Sequence, residues 1–199
     1  LFDEYFADRN EDDRAAIKKK FGTFRAVLEA PQRIRRVCID ILKHYREHIL
    51  PNGFKAMIVT SSREAAVTYK KILDELDAPE SEVIISGSHN DDAKFHPYTD
   101  STVHKKKIDD FKKPFGLGEK NSNLAILIVK DMLLTGFDAP IAQAMYLDRK
   151  LTDHTLLQAI ARVNRTYPNK SRGYIVDYYG LSDYLTEALE MFSSDDVQG

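Results

Sequence analysis

One glutamine and two arginines follow a helical spacing near the carboxyl-terminal part of the chain. If residues 156–165 form a helix, Gln158, Arg162 and Arg165 lie on one face of it. A guanidinium stays charged and can bind two phosphate oxygens at once, so this face is suited to a phosphate group. A solvated amphipathic helix would show the same spacing, because apolar residues share the opposite face. Those apolar residues are Leu156, Ile160 and Val163.

A second candidate segment, residues 135–140 (TGFDAP), precedes this helix. Thr135 can donate a hydrogen bond to a phosphate, and Gly136 lets the backbone approach a ligand closely. Asp138 can accept a hydrogen bond from a ribose hydroxyl. Taken alone, the segment is typical of a plain turn. Together with the arginine-bearing helix it forms a set of groups that could bind a nucleotide.

Apolar runs and amphipathic stretches alternate from residue 31 onward, which indicates an α/β fold with a mainly parallel sheet. Five apolar runs predict the strands: 56–60, 83–85, 124–129, 144–147 and 173–178. Helices are predicted at 12–21, from Pro31 to the turn at 51–53, after the first strand, at 104–113, at 156–165 and at 183–192.

Two finer predictions concern the strands and the helix after the first of them. The run 124–129 is the most hydrophobic in the chain, so it is predicted to be a central strand. Ser61 and Glu64 predict a capping box at the start of the following helix. Ligands of open parallel sheets bind beyond the carboxyl ends of the strands. Residues 61–63 and 130–140 leave such ends and are therefore candidate ligand-binding loops.

Composition restricts the function classes. The 199 residues carry a net charge of −2, so a contact with nucleic acid must come from a local patch. The single cysteine, Cys38, excludes a disulfide framework and fits a reducing compartment. No apolar run approaches the length that a membrane-spanning helix needs. The chain begins with Leu1 rather than methionine, so we expect it to be a fragment of a longer protein.

Two other groups of polar residues receive the simpler interpretation. Histidines and aspartates scattered through residues 88–122 match no metal-ligand spacing, so no metal site is predicted. Arg33, Arg35 and Arg36 could form a cationic site, but a solvated helix face is the favoured interpretation.

The two candidate segments resemble known motifs. Residues 135–140 are similar to motif V, and residues 158–165 (QAIARVNR) to motif VI, of the second motor domain of superfamily 2 helicases and translocases. Motif VI is usually written Gln-x-x-Gly-Arg-x-x-Arg, and this chain departs from it with Ala161 in place of the glycine. The sequence of residues 55–69 and 131–165 more narrowly resembles the motor (R) subunit of type I restriction enzymes. The resemblance runs from about residue 34 to residue 178.

This resemblance implies a RecA-like three-layer fold and ATP-driven translocation of double-stranded DNA. Residues 1–50 are expected to be a helical connector or linker, and residues 51–199 the second RecA-like domain. In this family ATP and Mg²⁺ lie between two RecA-like domains, and the first of these supplies the phosphate loop and the Mg²⁺-binding motif. Neither the sequence Gly-x-x-x-x-Gly-Lys-[Ser/Thr] nor an Asp-Glu-x-His box occurs in this chain.

The resemblance also assigns roles to individual residues. Arg165 would be the arginine finger on the γ-phosphate, with Arg162 as its partner in catalysis. The residues expected to approach the nucleotide are Gln158, Gly136 and Asp138. The residues expected to contact the DNA backbone are Ser61, Ser62, Arg63 and Thr135. No residue is assigned to a metal.

The sequence therefore predicts half of an ATP site, and the isolated chain is expected not to hydrolyse ATP. The parent protein would be an ATP-dependent translocase and endonuclease in the cytoplasm of a bacterium or archaeon, without contact to a membrane. Its expected partners are double-stranded DNA, the first RecA-like domain, and the modification and specificity subunits. Two alternatives remain: the second motor domain of another superfamily 2 DNA helicase, or a non-catalytic α/β interaction domain whose arginine face binds a protein.

Overall fold

The computed structural model describes residues 25–180, except for the side chain of Asp153. The helices predicted at 12–21 and 183–192 lie outside these described residues. The α-helices used below are α1 (Pro31–His44), α2 (Arg63–Glu75), α3 (Ser101–Lys112) and α4 (Asp153–Val163). The strands are β1 (Lys55–Thr60), β2 (Ser81–Ile84), β3 (Ile126–Val129), β4 (Ala142–Asp148) and β5 (Tyr174–Asp177). Within residues 25–180 no helix is both long and apolar enough to cross a membrane.

The five strands form one sheet in the order β2-β3-β1-β4-β5, and every neighbouring pair is parallel. The predicted α/β class is therefore confirmed. The prediction that residues 124–129 contain a central strand is confirmed, because β3 lies inside the sheet, beside β1, which occupies the middle position. Both strands are fully buried. Hydrophobic content therefore could not rank them, since strand order depends on how the connections cross the sheet.

Helices cover both faces of the sheet, which gives the three-layer arrangement. Alternate residues of β1 point to opposite faces, as the pleat of a strand requires. Ile58 packs into a core with residues of α1 and α2, whereas Met57 packs into a second core with residues of α3 and α4. The layers therefore place the loop that follows β3 on the same side as α4.

The helix after β1 begins one residue later than predicted. Ser62, not Ser61, is the N-cap of α2, and its hydroxyl accepts a hydrogen bond from the Ala65 N–H at 3.0 Å. The Glu64 carboxylate forms an ion pair with Lys94 at 2.8 Å. It is therefore not the reciprocal partner that a capping box requires. The serine pair allowed either residue to cap, and the sequence pattern could not distinguish them.

A buried carboxylate joins α1 and α2 to the end of β4. Asp148 is 1% exposed and accepts two hydrogen bonds from Arg33, at 2.5 and 2.9 Å, and one from the Tyr69 hydroxyl at 2.7 Å. Arg33 belongs to α1 and Tyr69 to α2. The interpretation of Arg33 as part of a solvated face is therefore wrong. Its partner lies 115 positions away in the sequence, so the pattern of α1 alone could not reveal this pair.

Helix α1 belongs to the core of this domain. Its side chains Ile34, Cys38 and Ile41 are fully buried in the cluster that also contains α2 and one face of the sheet. The expectation that residues 1–50 connect to a preceding domain stays a prediction, as does the boundary at residue 51. The apolar stripe of α1 nevertheless explains why this helix packs where it does.

Substitution of Asp148 by asparagine is expected to lower the free energy of unfolding by about 3 kcal/mol, because it leaves the Arg33 guanidinium without its counter-charge in a largely buried position. Chemical denaturation of the chain measures this change. The matched control is Asp74→Asn, which removes an exposed carboxylate paired with Lys70 in α2. That change should cost less than about 0.5 kcal/mol. Equal effects of the two substitutions would contradict the assignment.

Lys55 gives the stability a second testable dependence. Its side chain is fully buried, donates to the Asp110 carbonyl at 3.2 Å, and burial lowers its pKa from 10.5 to about 8. Since the unfolded chain holds this proton more tightly, stability should rise as the pH increases from 8 to 10.5, by up to about 3 kcal/mol. Denaturation curves of Lys55→Met should lack that part of the rise. An unchanged rise in this variant would exclude Lys55 as its source.

Candidate functional site

The loop at residues 130–141 connects the two ends of the parallel strands, which are called here the carboxyl edge and the amino edge of the sheet. It leaves β3 at the carboxyl edge and enters β4 at the amino edge, because the two strands are parallel. In the middle of the loop, Thr135 lines a cavity of about 250 Å³ with Arg149 and Thr152, which follow the carboxyl end of β4. The loop reaches the amino edge four residues after Asp138. The expectation that the site lies at the carboxyl edge therefore holds for Thr135 but not for the whole loop.

Arg162 ties helix α4 to this loop. Its Nε donates a hydrogen bond to the Leu134 carbonyl at 2.9 Å. Partial burial lowers the pKa of Arg162, the neighbouring charge of Arg165 lowers it further, and Asp138 opposes this effect. The two predicted motifs are therefore in contact, and Arg162, Arg165 and Asp138 lie within electrostatic range of one another.

Arg165 is not part of the helix, contrary to prediction. Helix α4 ends at Val163, Asn164 is its C-cap, and Arg165 begins the segment that leads to β5. The Arg165 side chain is 57% exposed, and its Nε lies 3.5 Å from a carboxylate oxygen of Asp138, which is 59% exposed. An exposed pair at this distance contributes little stability. The guanidinium can therefore leave Asp138 for an anion that approaches from outside.

Gly136 presents open backbone beside these charges. Its φ of +69° lies in the left-handed region that favours glycine, and a Cβ built at this position would meet no atom within 4 Å. The next residue anchors the loop: Phe137 is 6% exposed and packs on Phe111, with ring centroids 6.3 Å apart. The backbone at Gly136 is thus fixed in place and still accessible.

Gln158 has one amide atom satisfied and one without a partner. Its Nε2 lies 2.9 Å from the Nε2 of His154, one turn earlier in α4. Its Oε1 is buried and has no hydrogen-bond partner in the described part of the chain. A buried acceptor of this kind is costly unless a donor arrives, so Gln158 has capacity for a ligand or a closing domain.

Three of the four residues predicted to contact DNA lie at the carboxyl end of β1, whereas Thr135 lines the cavity described above. Ser61, Ser62 and Arg63 line a cavity of about 610 Å³. Lys130, the residue after β3, lines the same cavity; it belongs to a loop that was predicted to bind a ligand, but no role was predicted for it. The Ser61 hydroxyl is buried and without a partner among the described residues.

Two of these three side chains already bind within the domain. Ser62 caps α2, as described above. Arg63 forms a two-pronged ion pair with Asp91, donates to the Ser86 carbonyl at 2.8 Å, and lies 4.2 Å from the centre of the Phe95 ring. The guanidinium of Arg63 is therefore held in place by four partner atoms or rings, and only part of its donor capacity points to solvent.

The structure thus gathers Gly136, Asp138, Arg162 and Arg165 at one place, whereas residues 61–63 line another cavity. Two further cations act on the same loop and carry no motif that could have revealed them. Arg149 donates to the Lys130 carbonyl at 3.0 Å and pairs with Asp131, and Lys170 binds the end of the loop. Within residues 25–180, no cluster of three or more histidine, cysteine or acidic side chains could hold a metal ion.

Comparison with known proteins identifies the family of the chain. Residues 88–180, which contain both candidate motifs, match the family model described as type I restriction enzyme subunit R domain 3. The chain is 37% identical, over 98% of its length, to a Methanocaldococcus jannaschii protein named type I restriction enzyme MjaIXP endonuclease subunit. It is 34% identical, over 87% of its length, to the HindI endonuclease subunit of Haemophilus influenzae. The chain covers 18% of the first relative and 17% of the second, so it spans about a fifth of their length.

Solved structures show the shared fold. A fragment of an HsdR subunit from Vibrio vulnificus YJ016 has a TM-score of 0.61 at 17% identity, and the match covers 80% of this chain and 29% of that one. The C-terminal domain of the DEAD-box protein Dbp5 has a TM-score of 0.52 at 17% identity, with 79% of each chain covered. The predicted RecA-like three-layer fold is confirmed.

Removal of the Arg162 guanidinium should loosen the loop. Arg162→Met loses the hydrogen bond to the Leu134 carbonyl, a charge-assisted bond of the stronger kind. Amide hydrogen exchange at residues 135–138 is therefore expected to become about tenfold faster or more. Arg36→Met, which shortens an exposed arginine of α1, serves as the control and should leave this exchange unchanged. Unaltered exchange in Arg162→Met would show that the loop does not depend on this contact.

Proposed function

The chain is a relative of the R, or endonuclease, subunits of type I restriction enzymes, and on this premise we propose that it supplies the arginine-finger half of an ATP site between two motor domains. The observation that carries the proposal is the exposed Arg165 guanidinium, which is held only loosely by Asp138, two residues after the open backbone of Gly136. Arg162 supports it from the end of α4.

The chemistry of these residues fits a triphosphate. In phosphoryl transfer, negative charge spreads over the transferred group, and a guanidinium placed beside it stabilises that charge. ATP, when bound, supplies this phosphoryl group and the free energy for movement along DNA. Arg165 would bind the γ-phosphate as the finger, while Arg162 keeps the loop in place. Gly136 offers its backbone N–H as a donor. Asp138 and Gln158 offer oxygen acceptors, either for ribose or for a donor of the facing domain.

Mg²⁺ is assigned to the facing domain. The site described here contributes cations and a single exposed carboxylate, Asp138, and no cluster of metal ligands occurs within residues 25–180. The phosphate loop and the metal-binding acidic motif would come from the first RecA-like domain of the same parent chain. For this reason the isolated chain is expected to hydrolyse no ATP.

We further propose that the cavity at the carboxyl end of β1 and, separately, Thr135 contact the backbone of double-stranded DNA. Such contacts position a duplex without reading its sequence. The buried Ser61 hydroxyl without a partner and the exposed Thr135 support this proposal. Ser62 and Arg63 would act mainly by shaping the cavity, because both already bind within the domain. The modification and specificity subunits would then be the partners that select the DNA.

Substitution of Arg165 tests the proposed ATP site. In the complete R subunit that carries this sequence, Arg165→Ala should lower kcat for DNA-stimulated ATP hydrolysis by about 10³-fold, because the transition-state charge loses its counter-charge. Nucleotide binding and DNA binding should change little. The control is Arg36→Ala, which removes an exposed arginine from the outer face of α1.

Two results would reject the proposal. One is an unchanged ATPase rate in Arg165→Ala. The other is ATP hydrolysis by the isolated 199-residue chain that disappears in the same variant, because this would place the whole site within the chain.

A further inference from the structure

We propose that Lys170 is a positioning residue for Arg165. It lies in the segment at residues 165–173, called here the return segment, which leads from Arg165 to the start of β5. Its ammonium group fastens this segment to the end of the 130–141 loop. The inference rests on the proposed role of Arg165, and it adds a residue that no motif identifies.

The contacts of Lys170 are short and directed. Its Nζ donates to the carbonyl oxygens of Pro140 and Ala142, at 2.7 Å each. Both oxygens belong to a turn that is closed by the Ala142 N–H and the Ala139 carbonyl at 2.9 Å. Lys170 is half-buried, and burial lowers its pKa to about 8. An ammonium group that gives up water for two backbone carbonyls indicates a fixed attachment rather than a solvated side chain.

The return segment is also closed on itself at its two ends. The side-chain carbonyl of Asn164 accepts a hydrogen bond from the Gly173 N–H at 3.2 Å. Gly173 packs so tightly against the end of α4 that a Cβ at this position would lie 2.4 Å from the Val163 carbonyl oxygen. The beginning and the end of the segment are therefore held at one point, and Lys170 holds its middle.

These contacts restrict the positions that the Arg165 side chain can reach. Arg165 lies at the first position of the return segment, and its present partner Asp138 lies two residues before Pro140 in the loop. Lys170 therefore joins the same two pieces of chain that Arg165 joins, but through shorter and less exposed contacts. A displacement of about 1 Å at a reacting group can cost about 100-fold in rate. The Lys170 contacts are suited to prevent such a displacement.

The test is a double-mutant cycle in the complete R subunit, assembled with its modification and specificity subunits and DNA. Lys170→Met removes the N–H donors, whereas Lys170→Arg keeps a cation with N–H donors at this position. Lys120→Met is the control at an exposed lysine. Each is measured alone and combined with Arg165→Ala. We expect Lys170→Met to lower kcat for ATP hydrolysis by about 10- to 100-fold with an unchanged KM, and Lys170→Arg to restore most of it.

The combined variant separates positioning from general stability. If Lys170 acts through Arg165, Lys170→Met should have no further effect on kcat once Arg165 is alanine. A full rate in Lys170→Met, or an equal fold loss in both backgrounds, would overturn the inference while leaving the role of Arg165 intact. An Arg165→Ala variant with a normal rate would instead reject the proposed function itself.

Discussion

A carboxylate buried at the carboxyl end of β4 must find positive charge and hydrogen-bond donors, and its choice of partners fixes the surrounding elements. Asp148 takes Arg33 from α1 and the hydroxyl of Tyr69 from α2, so two helices are fixed over the sheet at one point. The next residue, Arg149, donates a hydrogen bond to the Lys130 carbonyl. The end of β4 therefore fixes both a helical layer and the start of the loop on which the candidate site depends.

The loop at residues 130–141 shows how cations divide between structure and chemistry. Arg149 holds its start, Arg162 holds Leu134 in its middle, and Lys170 holds its end, each through backbone carbonyls. These three cations are partly buried, and each donates at least one hydrogen bond to a backbone carbonyl of the domain. Arg165 differs, because it is more than half exposed and has only a loose pair with Asp138. The proposed arginine finger is thus the most exposed of these four cations.

Much of this could be predicted from the sequence, and the exceptions have physical reasons. The five strands and the amphipathic helices follow from local hydrophobic patterns, which need no knowledge of partners. The exact order of the strands could not be predicted, because β1 and β3 are both fully buried and hydrophobic content does not rank them. Arg33 was misread because its partner is distant in sequence, and Arg165 because a helical spacing does not show where a helix ends. Lys170 had no signal at all, since its acceptors are backbone carbonyls, which any sequence provides.

The most direct test of the ATP site is the position of Arg165 when nucleotide is present. A structure of the complete R subunit with a non-hydrolysable ATP analogue should show its guanidinium within about 3 Å of a γ-phosphate oxygen, with the pair to Asp138 broken. Gly136 should then line the same site, with Arg162 still bound to the Leu134 carbonyl. If nucleotide binds while Arg165 remains on Asp138 and points away from the phosphates, the arginine-finger role is contradicted.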